Sequence, residues 1–273
     1  MSKPDALSMH YGQGGLQGRI SAALSSAGLH APYDPDDLAG VDEFHIGGRP
    51  ATMALIAQLN LTASSRCLDV GCGLGGPARA TAKSTGAHVT GIDLTQEFVT
   101  TGRALSGMCV MLDLVNLVQG NALDLPFGAA GFDAAYMMHV GMNIADKPAL
   151  MQQVARVLKP GARFGVYDAM QVGPGAPQYP MPWASAPDHS WLGTPQDYAQ
   201  ALEQAGFDIV EQTDCSALAQ KTFAAQAASR ETGPPPLGLH LVMGPDTKHK
   251  FANLRGAIDS GLLAPVQIVA QRR

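Results

Sequence analysis

The sequence predicts an α/β fold of the doubly wound, Rossmann-like kind, preceded by an N-terminal helical lid. Three observations carry this. From position 64 onward, short apolar runs alternate with segments of helical periodicity, the mark of a parallel sheet covered on both faces. The first run feeds a glycine turn, CLDVGCGLGGPAR at 67–79. A second acid, Asp93, ends the next run 22 residues beyond Gly71, close to the spacing of the ribose-binding acid in nucleotide folds.

Taken in order, residues 1–52 hold one short helix, ISAALSSAGL, and the stretch PYDPDDLAGVDEFHIGGRP, and read as a lid or cap on a domain at 53–273. The strands are RCLDVGC (66–72), HVTGIDL (88–94), LVQGNA (117–122), FDAAYMMHV (132–140), RFGVYDAM (163–170), DIVEQTDC (208–215) and APVQIVAQRR (264–273). Between the first five lie PARATAKST, TQEFVTTGRALSGM and KPALMQQVARVL, with apolar residues at helical spacing. Thr95 is placed to cap the second of these helices, and Lys159-Pro160-Gly161 stops the third. The Pro- and Gly-rich QVGPGAPQYPMPWASAPDHS at 171–190 has neither period and reads as an active-site insert. TPQDYAQALEQAGF is a helix with Thr194 as cap and Gly206 as stop.

With 273 residues, 46% of them hydrophobic, the chain can bury a sizeable core. A net charge of -5 and the lack of any Lys or Arg run make nucleic acid an unexpected partner. The four cysteines, Cys67, Cys72, Cys109 and Cys215, form no C-x-x-C pair, which points to free thiols rather than disulfides or a zinc site; no metal is expected. No run approaches the ~18 apolar residues of a membrane span, and MSKPDALSMHYGQGG lacks the apolar core of a signal peptide. A cytoplasmic monomer or homodimer is expected.

The glycine turn has two parses. Gly71, Gly73 and Gly76 fit the G-x-G-x-x-G of a dinucleotide fold. Asp69 with Gly71, Gly73 and Gly75 fits the acid-x-G-x-G-x-G of S-adenosylmethionine (SAM) binders. SAM has no phosphate, so its loop must meet an ammonium, a carboxylate, a ribose diol, an adenine edge and a sulfonium. Asp69 suits the ammonium, directly or through water. Asp93 suits the ribose hydroxyls, and would suit NAD as well. GNALDLPF (120–127) supplies a polar tip for the adenine edge, and no second mononucleotide-binding half appears.

The combination LDVGCGLGG, VTGIDL, GNALDLPF and RVLKPG resembles class I SAM-dependent methyltransferases across nearly everything after residue 40. YGQGGL, DEFHIGGRPAT, GCGLGGPAR, MMHVGMNIADK and LHLVMGP are similar to the sarcosine and dimethylglycine N-methyltransferase-like branch (methyltransferase type 11). The resemblance implies a seven-stranded sheet with the last strand antiparallel, SAM as cofactor and methyl transfer to a small molecule. An amine is the acceptor it favours; C-, O- or S-methylation of another metabolite or natural product is the alternative, because one scaffold hosts all of these.

The expected cofactor set is Asp69, Gly71, Cys72, Gly73, Gly75, Asp93, Leu94, Asn121, Ala122, Leu123 and His139, while Asp124 reads equally as a solvated loop acid. His139, at the C-terminal end of the fourth strand, is also the sharpest candidate for proton handling, although a lone histidine is more often a satisfied core residue. Tyr11 and His45 would close the chamber if the leading segment folds over the sheet edge. Met142, Asn143, Trp183 and His240 are acceptor-side candidates, and Arg49 a partner for a carboxylate of cofactor or acceptor. Two rival functions keep the same glycines: a SAM-binding module without a chamber, and an NAD-dependent dehydrogenase.

Overall fold

The apolar runs become β1 (Arg66–Val70), β2 (His88–Asp93), β3 (Val115–Gln119), β4 (Phe132–Met138), β5 (Leu158–Gln171), β6 (Phe207–Asp214) and β7 (Leu263–Arg272). They are seen in a computed structural model that describes residues 15–229 and 236–273. The strands form one seven-stranded sheet in the order β3-β2-β1-β4-β5-β7-β6. β1 to β5 pair in parallel, and β7 runs antiparallel between β5 and β6. The order reverses between β1 and β4, which opens a crevice at their C-terminal ends.

Strand ends depart from the sequence reading for local reasons. β3 lies at Val115–Gln119 rather than 117–122, because Gly120 N–H turns back to Asp93 O at 2.9 Å and Asn121 starts a turn that bridges to Asp124. β1 stops at Val70, since Gly71 turns into the left-handed region (φ 76°). β5 starts at Leu158, so Lys159-Pro160-Gly161 is the beginning of the strand, and the preceding helix has already ended.

The helices are α1 (Leu16–Ser26), α2 (Ala39–Asp42), α3 (Gly48–Ile56), α4 (Gly76–Thr85), α5 (Gln96–Met108), α6 (Lys147–Val157), α7 (Pro195–Gln204), α8 (Ser216–Ser229), α9 (His240–Met243) and α10 (Thr247–Asp259). Thr194 caps α7 as expected, in a reciprocal box with Asp197. Thr95 occupies the cap position of α5, but its side chain makes no cap bond; its own N–H donates to Asp93 Oδ1 at 2.8 Å instead.

One face of the sheet buries Ile20, Leu55, Val89, Leu105 and Leu117; the other buries Leu68, Met137, Leu150, Phe164 and Leu202. The division expected after residue 52 falls inside α3, whose Leu55 packs so closely on Gly165 of β5 that a Cβ there would collide with it. The leading segment is fixed to the glycine turn by a buried ion pair. Arg79, fully buried, donates to Asp42 Oδ2 at 2.6 Å, Leu74 O at 2.8 Å and Ser106 Oγ at 2.9 Å. Leaving either member of such a pair alone costs about 3–5 kcal/mol. No helix among the described residues is long and apolar enough to cross a membrane.

Candidate functional site

A cavity of about 680 Å³ lies at the crevice, within the size range of small-molecule sites. Its floor is the glycine turn. Gly71 N and Cys72 N both donate to Ile92 O, at 2.8 and 3.0 Å, which folds the turn back over β2. The three glycines serve different ends. A side chain at Gly71 would run into Val140, and one at Gly75, the N-cap of α4, would run into Leu117. Gly73 (φ 51°) has open space where its Cβ would be, so its missing side chain leaves room on the cavity side.

Three carboxylates line this half. Asp93 Oδ2 accepts from Gly73 N–H and Oδ1 from Thr95 N–H, both at 2.8 Å, so the acid ending β2 holds the turn in shape and keeps further lone pairs for a ligand. Asp69 Oδ2 accepts from the Tyr136 hydroxyl at 3.1 Å, and burial pushes its carboxyl up to about 8. Asp42 keeps Oδ1 buried with no partner, and burial raises it to about 6 in spite of Arg79. No lysine or arginine among the described residues lines the cavity. This half therefore gathers three acidic groups whose ionisation burial opposes and a bound cation would favour. Leu94, Asn121, Ala122 and Leu123 close its far side, with Asn121 Oδ1 accepting from Leu123 N–H at 2.9 Å.

The other half is built on the turn after β4. His139 takes a left-handed φ of 55°, uncommon for a non-glycine residue, and its N–H donates to Tyr167 O at 2.8 Å. Asp168, fully buried, holds the next two amides: Oδ1 accepts from Val140 N–H at 2.8 Å and Oδ2 from Gly141 N–H at 2.9 Å. The His139 ring stacks on Tyr167 and lies 6.1 Å from the ring of His45. His139 Nε2, the Tyr167 hydroxyl and Asn143 Oδ1 are buried without partners. Burial holds His139 well below the ordinary histidine range and lowers His45 to about 4, so both are neutral at pH 7. His45 Nε2 is engaged with Gly48 O at 3.1 Å and Thr52 Oγ1 at 3.0 Å. Phe44, Trp183 and Trp191 complete this half with apolar surface.

The sequence candidates fall into place unevenly. Asp69, Gly71, Cys72, Gly73, Asp93, Leu94, Asn121, Ala122, Leu123, His139, His45, Asn143 and Trp183 all line the cavity. Gly75 lies behind it, as a backbone hinge. Met142 does not reach it; its side chain is buried with Ile46 and Trp183 in a separate cluster. His240 is exposed at the start of α9 and away from the lining. Arg49 pairs with Glu43 at 2.9 Å, so its carboxylate is internal to the leading segment. Tyr11 lies outside the described residues. Asp42, Phe44, Phe98 and Trp191 line the cavity without having been singled out. Phe44 and Trp191 carried a usable signal, an aromatic beside His45 and a second tryptophan at the end of the insert; Phe98 and Asp42 carried none.

A family described as "Methyltransferase domain" matches residues 68–166. O-methyltransferase resE of Aspergillus sclerotiorum is 30% identical over 191 residues, covering 68% of this chain and 70% of the relative. Among solved structures, geranyl diphosphate C-methyltransferase from Streptomyces coelicolor A3(2), in complex with Mg2+, geranyl diphosphate and S-adenosyl-L-homocysteine, superposes with a TM-score of 0.65 at 20% identity, over 82% of this chain and 79% of that one. A putative sarcosine dimethylglycine methyltransferase from Galdieria sulphuraria gives 0.62 at 15% identity, over 81% and 83%. At these identities the structural likeness is one of fold.

Proposed function

This chain belongs to the methyltransferase-domain family and is a SAM-dependent methyltransferase acting on small molecules, and from that premise we propose that its acceptor is a neutral, largely apolar molecule methylated on a hydroxyl. One observation carries the proposal. The acceptor half of the cavity combines Phe44, Trp183 and Trp191 with the polar groups of Asn143, His139 and His189; the one carboxylate on this side among the described residues, Asp146, is exposed and already accepts from Ala149 N–H at 2.9 Å, and no lysine or arginine among them faces it. An acceptor bearing a carboxylate or phosphate would add a second anion to the cofactor's own carboxylate, with no lysine or arginine among the described lining residues to receive it, which costs several kcal/mol per ion. The name of resE, an O-methyltransferase, agrees with a hydroxyl acceptor.

The cofactor half fits SAM. Asp93 would accept from the ribose hydroxyls, the unpartnered Asp42 Oδ1 and the buried Asp69 would face the ammonium, and Asn121 to Leu123 would border adenine. The open space at Gly73 and the crossing of Gly71 by Val140 leave the backbone itself as the surface under the ligand. SAM supplies a methyl group activated by a positive sulfur. The chain's own residues do the rest: they align the acceptor oxygen, keep water out and hold the hydroxyl proton. His139 is neutral and strained into the crevice by Asp168, and in this reading it takes a hydrogen bond from the acceptor hydroxyl. Its depressed basicity makes it a positioner of that proton rather than a strong base that removes it in advance; once the oxygen is methylated the proton on it is strongly acidic and would pass to the unpartnered His139 Nε2. His45, tied to Gly48 and Thr52, closes the chamber from the leading segment.

An amine acceptor is the second reading. It is favoured by the aromatic rings of Phe44, Trp183 and Trp191, which can flank an ammonium. An amino acid of the sarcosine type would also bring a carboxylate, for which the described lining residues offer no lysine or arginine. Purified protein with SAM and two acceptor panels, neutral terpenoid and aromatic alcohols against amines with and without a carboxylate, separates the readings by mass spectrometry. A methyl gain confined to the alcohols is expected. A gain confined to amines overturns the hydroxyl reading.

A further inference from the structure

The acceptor half of the cavity is bounded by two segments outside the long helices and strands, the turn at 140–146 and the stretch that follows the insert near Trp191. Lys147, the first residue of α6, joins them. Its side chain is buried, with the residue 8% exposed, and its ammonium donates to Trp191 O at 2.6 Å and to Ile144 O at 3.3 Å. Ile144 and Trp191 both line the cavity. We propose that Lys147 is the positioning residue of the acceptor wall, holding Trp191 against the 140–146 turn through its backbone; this rests on the reading that the Trp191 side receives the acceptor.

Three further features converge on Lys147. Trp191 N–H donates to Met142 O at 2.8 Å, so the residue is held to the turn directly through its N–H and by way of Lys147 through its carbonyl, while it lines the cavity 41% exposed. The ammonium sits 5.2 Å from the centre of the Tyr198 ring, and the hydroxyl of that tyrosine donates to Asp168 Oδ2 at 2.9 Å. Asp168 in turn holds the Val140 and Gly141 amides. The loop can approach so closely because residue 193 is glycine: a Cβ there would sit 2.8 Å from Lys147 Cε. Burying a lysine to satisfy two carbonyls is costly for a helix start that Asp146 already caps through Ala149 N–H. What the lysine adds is the link between the two halves of the wall, and none of its contacts reaches the glycine turn.

The test needs no acceptor. In a Trp183→Phe background Trp191 is the sole tryptophan, and acrylamide quenching reads how firmly its segment is held. Lys147→Met keeps the stem and removes the donors. The Trp191 quenching constant is expected to rise at least about twofold, with the calorimetric Kd for S-adenosylhomocysteine within about twofold of the parent. An unchanged quenching constant overturns the proposal, and so does a parallel loss of S-adenosylhomocysteine affinity, because Lys147 would then support the domain as a whole. If the methionine variant shows no cooperative melt, the same pair of measurements on Lys147→Gln decides, since its shorter amide cannot bridge both carbonyls. Failure of S-adenosylhomocysteine to bind the parent would count against the cofactor reading, while the quenching comparison still decides the hold of Lys147 on Trp191.

Discussion

The imidazole of His139 lies against the phenol of Tyr167, ring centres 5.6 Å apart and planes 24° from parallel, with His139 Nε2 and the Tyr167 hydroxyl both buried and unpartnered. A strained backbone and two unsatisfied polar atoms at one place are costs that a folded protein tolerates where a ligand uses them.

His139→Gln tests what the imidazole does. Burial keeps the ring neutral throughout the physiological range, so a positioning hydrogen bond predicts a loss in kcat of about tenfold and an unchanged shape of the pH profile between pH 6 and 8. SAM affinity should be nearly intact. A loss of a hundredfold or more, with the acidic limb altered, would restore the general-base role.

The glycine turn separates ligand space from folding space. Gly73→Ala places a methyl group where nothing stands within 4 Å, at a φ of 51°. It should lower apo stability by the roughly 1 kcal/mol of left-handed strain and weaken SAM binding by more than tenfold. Gly71→Ala drives its methyl into Val140 and should lower the apo Tm by clearly more. Equal Tm losses would mean that Gly73, too, is only a turn residue.

Asp93→Ala removes a half-buried carboxylate that accepts from Gly73 and Thr95. A charged acceptor is worth about 1.5–3 kcal/mol, so calorimetry should show SAM affinity reduced by roughly tenfold or more. An unchanged affinity removes Asp93 from the site.

Asp69 makes stability depend on pH with a defined sign. Its folded carboxyl titrates near 8 against 3.8 for the free group, so the folded chain holds a proton that the unfolded chain has lost. That stabilisation is complete below 3.8 and is lost as pH rises through 8. His45 and His139, neutral in the folded chain, take up protons in the unfolded chain around 6.5 and so oppose this fall until about one pH unit above that value, while Asp168, raised to about 7, adds to it. The Tm of ligand-free protein should therefore fall between about pH 7.5 and 8.5, less steeply in Asp69→Asn. Because a bound cation favours the carboxylate, SAM binding at pH 7 should release protons, seen as a binding enthalpy that varies with buffer.

Much of this was legible in the sequence because the information was local. Alternating runs mark strands, and the acid-glycine pattern places Asp69 and Asp93 on adjacent strand ends whatever else the chain does. Thr95 looked like a cap because its neighbours are helical; the nearby Asp93 carboxylate takes its N–H instead, a choice set by the turn across the strand. α8 gave little signal because the apolar residues of SALAQKTFAAQAAS are spread around the helix rather than along one face. The acceptor side was read least well. Met142 and Asn143 are adjacent, yet one is buried behind Trp183 and the other faces the cavity, and the short helical turn Gly141–Asn143 that separates them has no signature of its own. Asp42 enters the cavity through its pairing with Arg79, 37 positions away, which no spacing rule anticipates.

The neutral acceptor is the claim on which the rest of the account turns, and label partition tests it most directly. Purified protein is incubated with SAM carrying a tritiated methyl and a metabolite extract, then acidified and extracted into organic solvent. A neutral hydroxylated acceptor predicts that the transferred label moves into the organic phase and survives a base wash. Label retained in the acidic aqueous phase, where amines and amino acids stay, would contradict it.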